Sequence, residues 1–107
     1  MRVHLFYHSR FYLGESMDEK KLHKIKRKIE AHPLRHGYFL ITTARNGVDQ
    51  LEIFSCRLLA QSYYQKNPPY VIGIASDYDE ALGILKQIVE ECLKERGDCL
   101  LREYLEC

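Results

Sequence analysis

The sequence lacks any apolar run long enough to cross a membrane. Its longest stretch without a charged residue is residues 67–76, whereas a membrane-spanning helix needs roughly 20 apolar residues. Near the N-terminus, His4, His8 and Arg10 break up the apolar segment that a signal peptide requires. We therefore expect a cytoplasmic protein with no membrane partner.

The sequence also lacks paired cysteines and metal-ligand motifs. No Cys-x-x-Cys pair occurs among its four cysteines, which are Cys56, Cys92, Cys99 and Cys107. In a cytosolic protein such cysteines are expected to be reduced thiols. His32 and His36 are four residues apart, but Pro33 breaks the helix that would bring them together. We predict neither a metal site nor a cofactor.

Length and composition indicate one globular domain, residues 1–107. The chain is 46% hydrophobic and 29% charged, which is typical of a folded protein. The net charge of +1 hides an uneven distribution, because residues 1–76 carry 12 Lys and Arg against 6 Asp and Glu, whereas residues 77–107 carry 4 against 9. Such asymmetry points to charged partners.

The first half of the sequence predicts a strand, a helix and a hairpin. A short strand is expected at 3–7, and a helix at 17–31 with Ser16 as its N-cap. Pro33 ends that helix. The β-rich runs 38–43 and 51–54 flank a turn at Asn46 and Gly47, so they are predicted to pair as a hairpin with a longer loop.

The second half predicts two helices that flank a buried strand. Helical spacing of apolar residues places one helix at about 56–66, and the unbroken apolar run 70–75 is typical of a strand covered on both faces. The third helix has Asp77 or Ser76 as its cap, Glu80 in capping-box position and Gly97 at its end. Its predicted buried stripe is Tyr78, Ala81, Leu82, Leu85, Ile88, Val89, Cys92 and Leu93. The tail 98–107 fits a short helix or an edge strand.

We therefore predict an α+β fold, a two-layer sandwich of one domain. The element order is β-α-β-β-α-β, as in ferredoxin-like folds, followed by a third amphipathic helix and a short C-terminal element. This resemblance is one of element order, and it licenses no function.

Two charged helix faces are the first candidate sites. The basic face consists of Lys20, Lys21, Lys24, Arg27 and Lys28 on the helix at 17–31. It fits a solvated surface, a site for an acidic protein, or a nucleic-acid site. The acidic face of the third helix consists of Asp79, Glu80, Glu90 and Glu91, and Gly83 lies on the same side. The two faces are predicted to neutralise each other within one chain or across a homodimer.

A secondary candidate surface is the aromatic and proline-rich segment that contains Tyr64, Pro68 and Pro69. Aromatic residues beside a rigid turn suit recognition, while Tyr63 is predicted to face the core.

The sequence thus favours a protein-binding or self-associating module without catalytic activity. One alternative is a nucleic-acid-binding module that uses the basic helix 17–31, although the acidic last third of the chain would repel a long duplex. A second alternative is a thiol-dependent enzyme that uses Cys56, although that residue lies on the apolar side of its predicted helix.

Overall fold

The computed structural model describes residues 5–44 and 50–106, which form four strands and four α-helices. The strands are β1 (Phe6–Leu13), β2 (Phe39–Thr43), β3 (Leu51–Ser55) and β4 (Tyr70–Ala75). The α-helices are α1 (Leu22–Ala31), α2 (Ser62–Lys66), α3 (Tyr78–Arg96) and α4 (Leu101–Leu105). Short 3₁₀ turns occupy Glu19–Lys21, Pro33–Arg35 and Cys56–Ala60.

The strands form one mixed sheet in the spatial order β1-β4-β2-β3. Strand β4 is parallel to β1 and antiparallel to β2, and β2 pairs with β3 as the predicted hairpin. Residues 71–75 of β4 are buried, which confirms that this strand is covered on both faces. The pairing of β1 with β4 shifts register between Tyr7 and Tyr12, and such irregularities often occur at sheet edges.

Apolar side chains pack on both faces of the sheet. Leu40 and Ile41 are neighbours on β2, so their side chains point to opposite faces, and each belongs to a different buried cluster. The cluster of Leu40 contains Ile25 and Ile29 of α1. The cluster of Ile41 contains residues of α3 and α4, namely Ala81, Ile84, Ile88, Cys92, Leu101, Tyr104 and Leu105.

The predicted α+β class and element order are confirmed in a single compact domain. Helix α1 covers one face of the sheet, and α3 and α4 cover the other. The helices therefore form two layers, whereas the predicted two-layer sandwich had a single layer of helices on its sheet. This arrangement separates α1 from α3, which the sequence interpretation had allowed to lie side by side.

The ends of α3 follow the predicted capping residues. The Asp77 side chain accepts a hydrogen bond from the Glu80 backbone N–H at 2.8 Å, as an N-cap does. At the other end Gly97 adopts φ 80°, a left-handed conformation that glycine reaches without strain. The Glu80 carboxylate, however, accepts from the backbone N–H of Ser76 rather than completing a capping box with Asp77.

The C-terminal element is a helix, and β1 holds it in place. The Nδ1 atom of His8 accepts from the Arg10 backbone N–H at 2.9 Å, so Nε2 carries the proton and donates to the Leu105 carbonyl at 2.5 Å. The Arg10 guanidinium also lies 4.8 Å from the centre of the Tyr104 ring, a cation–π distance. These contacts join two ends of the chain that are far apart in sequence.

Several predicted boundaries differ from the structure. Strand β1 continues to Leu13, beyond the predicted 3–7, of which residues 3 and 4 lie outside the described residues. Helix α1 begins at Leu22 rather than at the predicted residue 17, because Glu19–Lys21 forms a 3₁₀ turn instead. The N-cap of that turn is Asp18, not the predicted Ser16. The helix predicted at 56–66 is interrupted at Gln61, whose ψ of 142° is extended.

The predicted buried stripe of α3 is wrong in part. The buried residues are Ala81, Ile84, Ile88 and Cys92, so the inward face is rotated relative to the prediction, which had omitted Ile84. Tyr78, Leu82 and Leu93 were predicted to be buried but are exposed. Tyr63 is also exposed, because α2 packs Tyr64 rather than Tyr63 against Phe54.

Some predicted features lie outside the described residues, namely the Asn46–Gly47 turn, His4 and Cys107. Within residues 5–44 and 50–106, none of the helices combines the length and the apolar character needed to cross a membrane.

Candidate interaction surfaces

The basic face is fully presented to solvent. Lys20 and Lys21 lie on the 3₁₀ turn before α1, and Lys24, Arg27 and Lys28 lie on α1 itself; all five are exposed. No ion pair within the described residues involves any of them. Ile25 and Ile29 of α1 are buried against the sheet. The five cations of the basic face therefore lie on the outward side of α1 and of the 3₁₀ turn before it.

A further cation of α1, Lys26, does not belong to the basic face. Its ammonium lies 4.2 Å from the ring centre of Tyr7 and 4.7 Å from that of Phe11. Cation–π contacts at these distances stabilise the positive charge against aromatic faces. Lys26 therefore helps to hold α1 on the sheet, and it is less available to a partner than its neighbours.

The acidic face predicted on α3 is divided by the structure into two kinds of carboxylate. Asp79 and Glu90 are exposed, and Glu90 makes an ion pair with Lys86 at 3.9 Å, in which both side chains are largely solvent-accessible. Exposed pairs of this kind contribute roughly 0–1 kcal/mol. Glu80 and Glu91, in contrast, are half-buried and bind groups of the same chain.

Glu80 connects the two loops that follow the parallel strands. Its carboxylate accepts from the backbone N–H groups of Ser16 at 3.1 Å and Ser76 at 3.0 Å, and the two serine hydroxyls are 2.9 Å apart. Burial opposes ionisation of Glu80, but the hydrogen bonds outweigh it and hold its pKa below the ordinary value. A side chain at Gly14 would overlap this carboxylate, so a larger residue there would displace Glu80 from its hydrogen bonds.

Glu91 connects α3 to β1 and α4. Its Oε1 atom accepts from the hydroxyls of Tyr12 at 2.7 Å and Tyr104 at 3.2 Å, and its Oε2 atom accepts from Gln87 at 3.0 Å. Burial opposes ionisation, yet these donors hold the pKa of Glu91 below its usual range. Burial, with the neighbouring carboxylate, raises the pKa of Tyr12. Glu91 is therefore a structural residue.

The groove beside Glu80 is too acidic to attract anionic ligands. It has a volume of about 210 Å³, and its lining includes Glu15, Asp79 and Glu80. Three carboxylates in one groove repel phosphate groups. The Ser76 backbone N–H, just before α3, already donates to the Glu80 carboxylate.

The secondary surface around α2 is mostly structural. Tyr64 stacks on Phe54 with ring centres 5.2 Å apart, Pro69 is buried and Pro68 is half-buried. Tyr63, whose ring meets Tyr64 edge-on, is the aromatic residue that this segment exposes. Tyr64, Pro68 and Pro69, the three residues proposed from the sequence, therefore serve mainly to pack this segment.

The structure reveals a surface that the sequence reasoning had assigned to the core. Along one side of α3, apolar residues recur at spacings of three and four; this apolar strip consists of Tyr78, Leu82, Leu85, Val89 and Leu93. Tyr78 is 50% exposed, Leu82 is 42% exposed and Leu93 is 46% exposed. Leu85 and Val89 are half-buried and pack against the core, so the strip is continuous with the interior.

The thiol of Cys56 is enclosed. The side chain is fully buried, and its Sγ donates to the carbonyls of His36 at 3.2 Å and Pro33 at 3.4 Å. Burial raises the pKa of Cys56, whereas a reactive cysteine needs an accessible, low-pKa thiolate. This geometry gives the thiol-enzyme interpretation no support.

Within the described residues, no group of three or more His, Cys, Asp or Glu side chains is arranged to hold a metal ion. Comparison of the chain with protein-family models, with curated proteins and with solved structures found no match.

Proposed function

We propose that this domain is a protein-binding module without catalytic activity of its own, and that the apolar strip of α3 is its contact surface. The supporting observation is the exposure of Tyr78, Leu82 and Leu93 on one side of a well-capped helix. Single exposed leucines are normal on protein surfaces. A contiguous apolar surface on a folded domain is instead typical of an interaction site.

Burial of the strip would provide substantial binding free energy. Complete burial of a Leu side chain contributes about 1.5–3 kcal/mol. Burial of the exposed part of each leucine in the strip would therefore contribute roughly 1 kcal/mol to binding. Leu82, Leu93 and the larger Tyr78 ring together offer several kcal/mol before the losses of association are counted. A specific contact therefore also requires matched polar groups at the rim.

The basic face has a second role in this proposal. Lys20, Lys24 and Lys28 with their neighbours attract acidic surfaces, and such charges mainly affect the rate and orientation of association. A cytoplasmic location also belongs to the proposal, supported by the free thiols of Cys56 and Cys92, since reduced cysteines are usual in that compartment.

Site-specific photo-crosslinking tests the function. A photo-reactive residue is introduced at Leu82, and separately at Ser62, which is exposed on α2 and serves as the control. In cells that express the chain, we expect position 82 to give a discrete protein adduct and position 62 to give none. No adduct at position 82, or the same adducts from both positions, would contradict the proposal.

A further inference from the structure

We infer that the partner of the apolar strip is a second copy of this chain, with the two α3 helices packed antiparallel across a two-fold axis. This inference rests on the proposed function and names its partner. In a two-fold interface the same surface is used by both subunits, so every contact occurs twice. The strip must therefore complement itself in both shape and charge.

The charges along the strip satisfy this condition. Lys86 and Glu90 border the strip, and both are exposed within a weak 3.9 Å ion pair. When two copies of α3 run antiparallel, Lys86 of each copy approaches Glu90 of the other. The acidic first turn of α3, with Asp79, likewise lies towards the basic last turn of the second copy, with Lys94.

The apolar contacts fit the same arrangement. With the two-fold axis between Lys86 and Val89, Leu82 of one copy faces Leu93 of the other, while Leu85 and Val89 lie at the centre. Helix α3 has 19 residues and is therefore about 28 Å long.

Self-pairing is favoured over a partner of one charge sign. An acidic partner would place like charge against Glu90, and a basic partner would place like charge against Lys86. A second copy supplies both signs at the required positions. Charge complementarity of this kind sets the orientation of an interface, while apolar burial provides most of its stability.

The first test is the mass of the intact chain in solution as a function of concentration. Light scattering after size exclusion is expected to give about twice the 12.7 kDa of one chain. Leu82→Glu places a charge against Leu93 of the other copy within the apolar interface, so we expect the dissociation constant of the dimer to rise at least about 100-fold. Circular dichroism checks that this variant remains folded.

The second test uses charge reversal at surface positions. Lys86→Glu and Glu90→Lys each convert both reciprocal pairs into like-charge pairs, and each alone should weaken the dimer about 10-fold. In an equimolar mixture, Lys86→Glu pairs with Glu90→Lys through two opposite-charge contacts. The mixture should therefore regain the affinity of the unmodified chain to within about 3-fold. Arg57→Glu and Glu19→Lys, exposed positions on the α1 side of the sheet, are the charge-matched controls and should leave the dimer unchanged.

The outcomes separate this inference from the proposed function. A chain that is monomeric at every concentration overturns self-pairing, while crosslinking at position 82 still decides whether the strip binds another protein. A dimer that survives Leu82→Glu, or that Arg57→Glu dissociates, overturns the α3 interface. A mixture of the two reversed variants that stays dissociated overturns the antiparallel geometry.

Discussion

At the scale of single residues, Glu90 and Glu91 are neighbours in sequence with the same side chain and different roles. Glu90 is exposed and pairs weakly with Lys86. Glu91 accepts hydrogen bonds from Tyr12 and Tyr104, which belong to β1 and α4. The difference arises because successive residues of an α-helix are about 100° apart around its axis.

We expect Glu91→Ala to lower the free energy of unfolding by about 1–3 kcal/mol, because two half-buried tyrosine hydroxyls lose a charged acceptor. The matched control, Glu90→Ala, removes one exposed ion pair and should change stability by less than about 0.5 kcal/mol. Urea denaturation of both variants measures the difference. Equal effects of the two substitutions would show that the Glu91 network contributes little to the fold.

At the scale of elements, α3 contains two glycines in opposite situations. Gly83 lies in the exposed middle of the helix, where nothing would contact an added methyl group. Gly97 ends the helix with φ 80°, a conformation that alanine reaches only with strain. The same substitution is therefore expected to have opposite effects at the two positions.

Gly83→Ala should raise the free energy of unfolding by about 1 kcal/mol, through helix propensity. Gly97→Ala should lower it by about 1–2 kcal/mol, because of the left-handed backbone. Denaturant unfolding of both variants at one protein concentration measures the two shifts. A decrease for Gly83→Ala would indicate that a side chain at this flank of α3 meets an atom of a neighbouring molecule.

The elements with strong local signals could be predicted from sequence. Strand β4 and the capping of α3 by Asp77 and Gly97 depend on residues close together in the chain, and both are confirmed. The break at Gln61 was missed because the apolar spacing continues through it. The period of the apolar residues predicted a helix there, but it does not report whether the backbone remains helical at each position.

The candidate sites were harder to predict, because burial depends on distant residues. The basic face was predicted as exposed, and its residues are exposed. Glu80 was assigned to the acidic face, but it binds Ser16, which is 64 residues away in sequence. The exposure of Leu82 and Leu93 depends on where the sheet and α4 lie, and hydrophobicity alone assigned both leucines to the core.

At the scale of the whole molecule, groups with a lowered pKa determine how the fold responds to acid, and three of them are Glu80, Glu91 and His36. Burial opposes ionisation of Glu80 and Glu91, but their hydrogen bonds hold both pKa values below the ordinary 4.5. Burial, followed by nearby cations, holds the pKa of His36 below 6.5. In each case the unfolded chain binds protons more readily than the folded chain, so acidification favours unfolding.

Groups with a raised pKa determine the response to alkali, and Cys56 and Tyr12 are two of them. Burial raises the pKa of Cys56 above the ordinary 9.0 and, with the Glu91 carboxylate, raises that of Tyr12 above 10.0. Both groups contribute stability below those ordinary values, and that contribution is lost as the pH rises towards the folded pKa. The unfolded chain therefore loses its protons first, and alkali favours unfolding.

The free energy of unfolding should consequently be highest between about pH 7 and pH 8.5 and decline on both sides. The decline should begin below about pH 6.5 through His36 and steepen below about pH 4.5, where Glu80 and Glu91 lose their stabilising charge. Urea denaturation at a series of pH values measures this profile.

Glu91→Gln should be less stable at neutral pH and show a shallower acid decline, because the group that titrates has been removed. Glu90→Gln, at an exposed position, should keep the profile of the unmodified chain. An acid decline that is equally steep in Glu91→Gln would mean that protonation of other groups unfolds the protein, and that the hydrogen bonds of Glu91 do not depend on its charge.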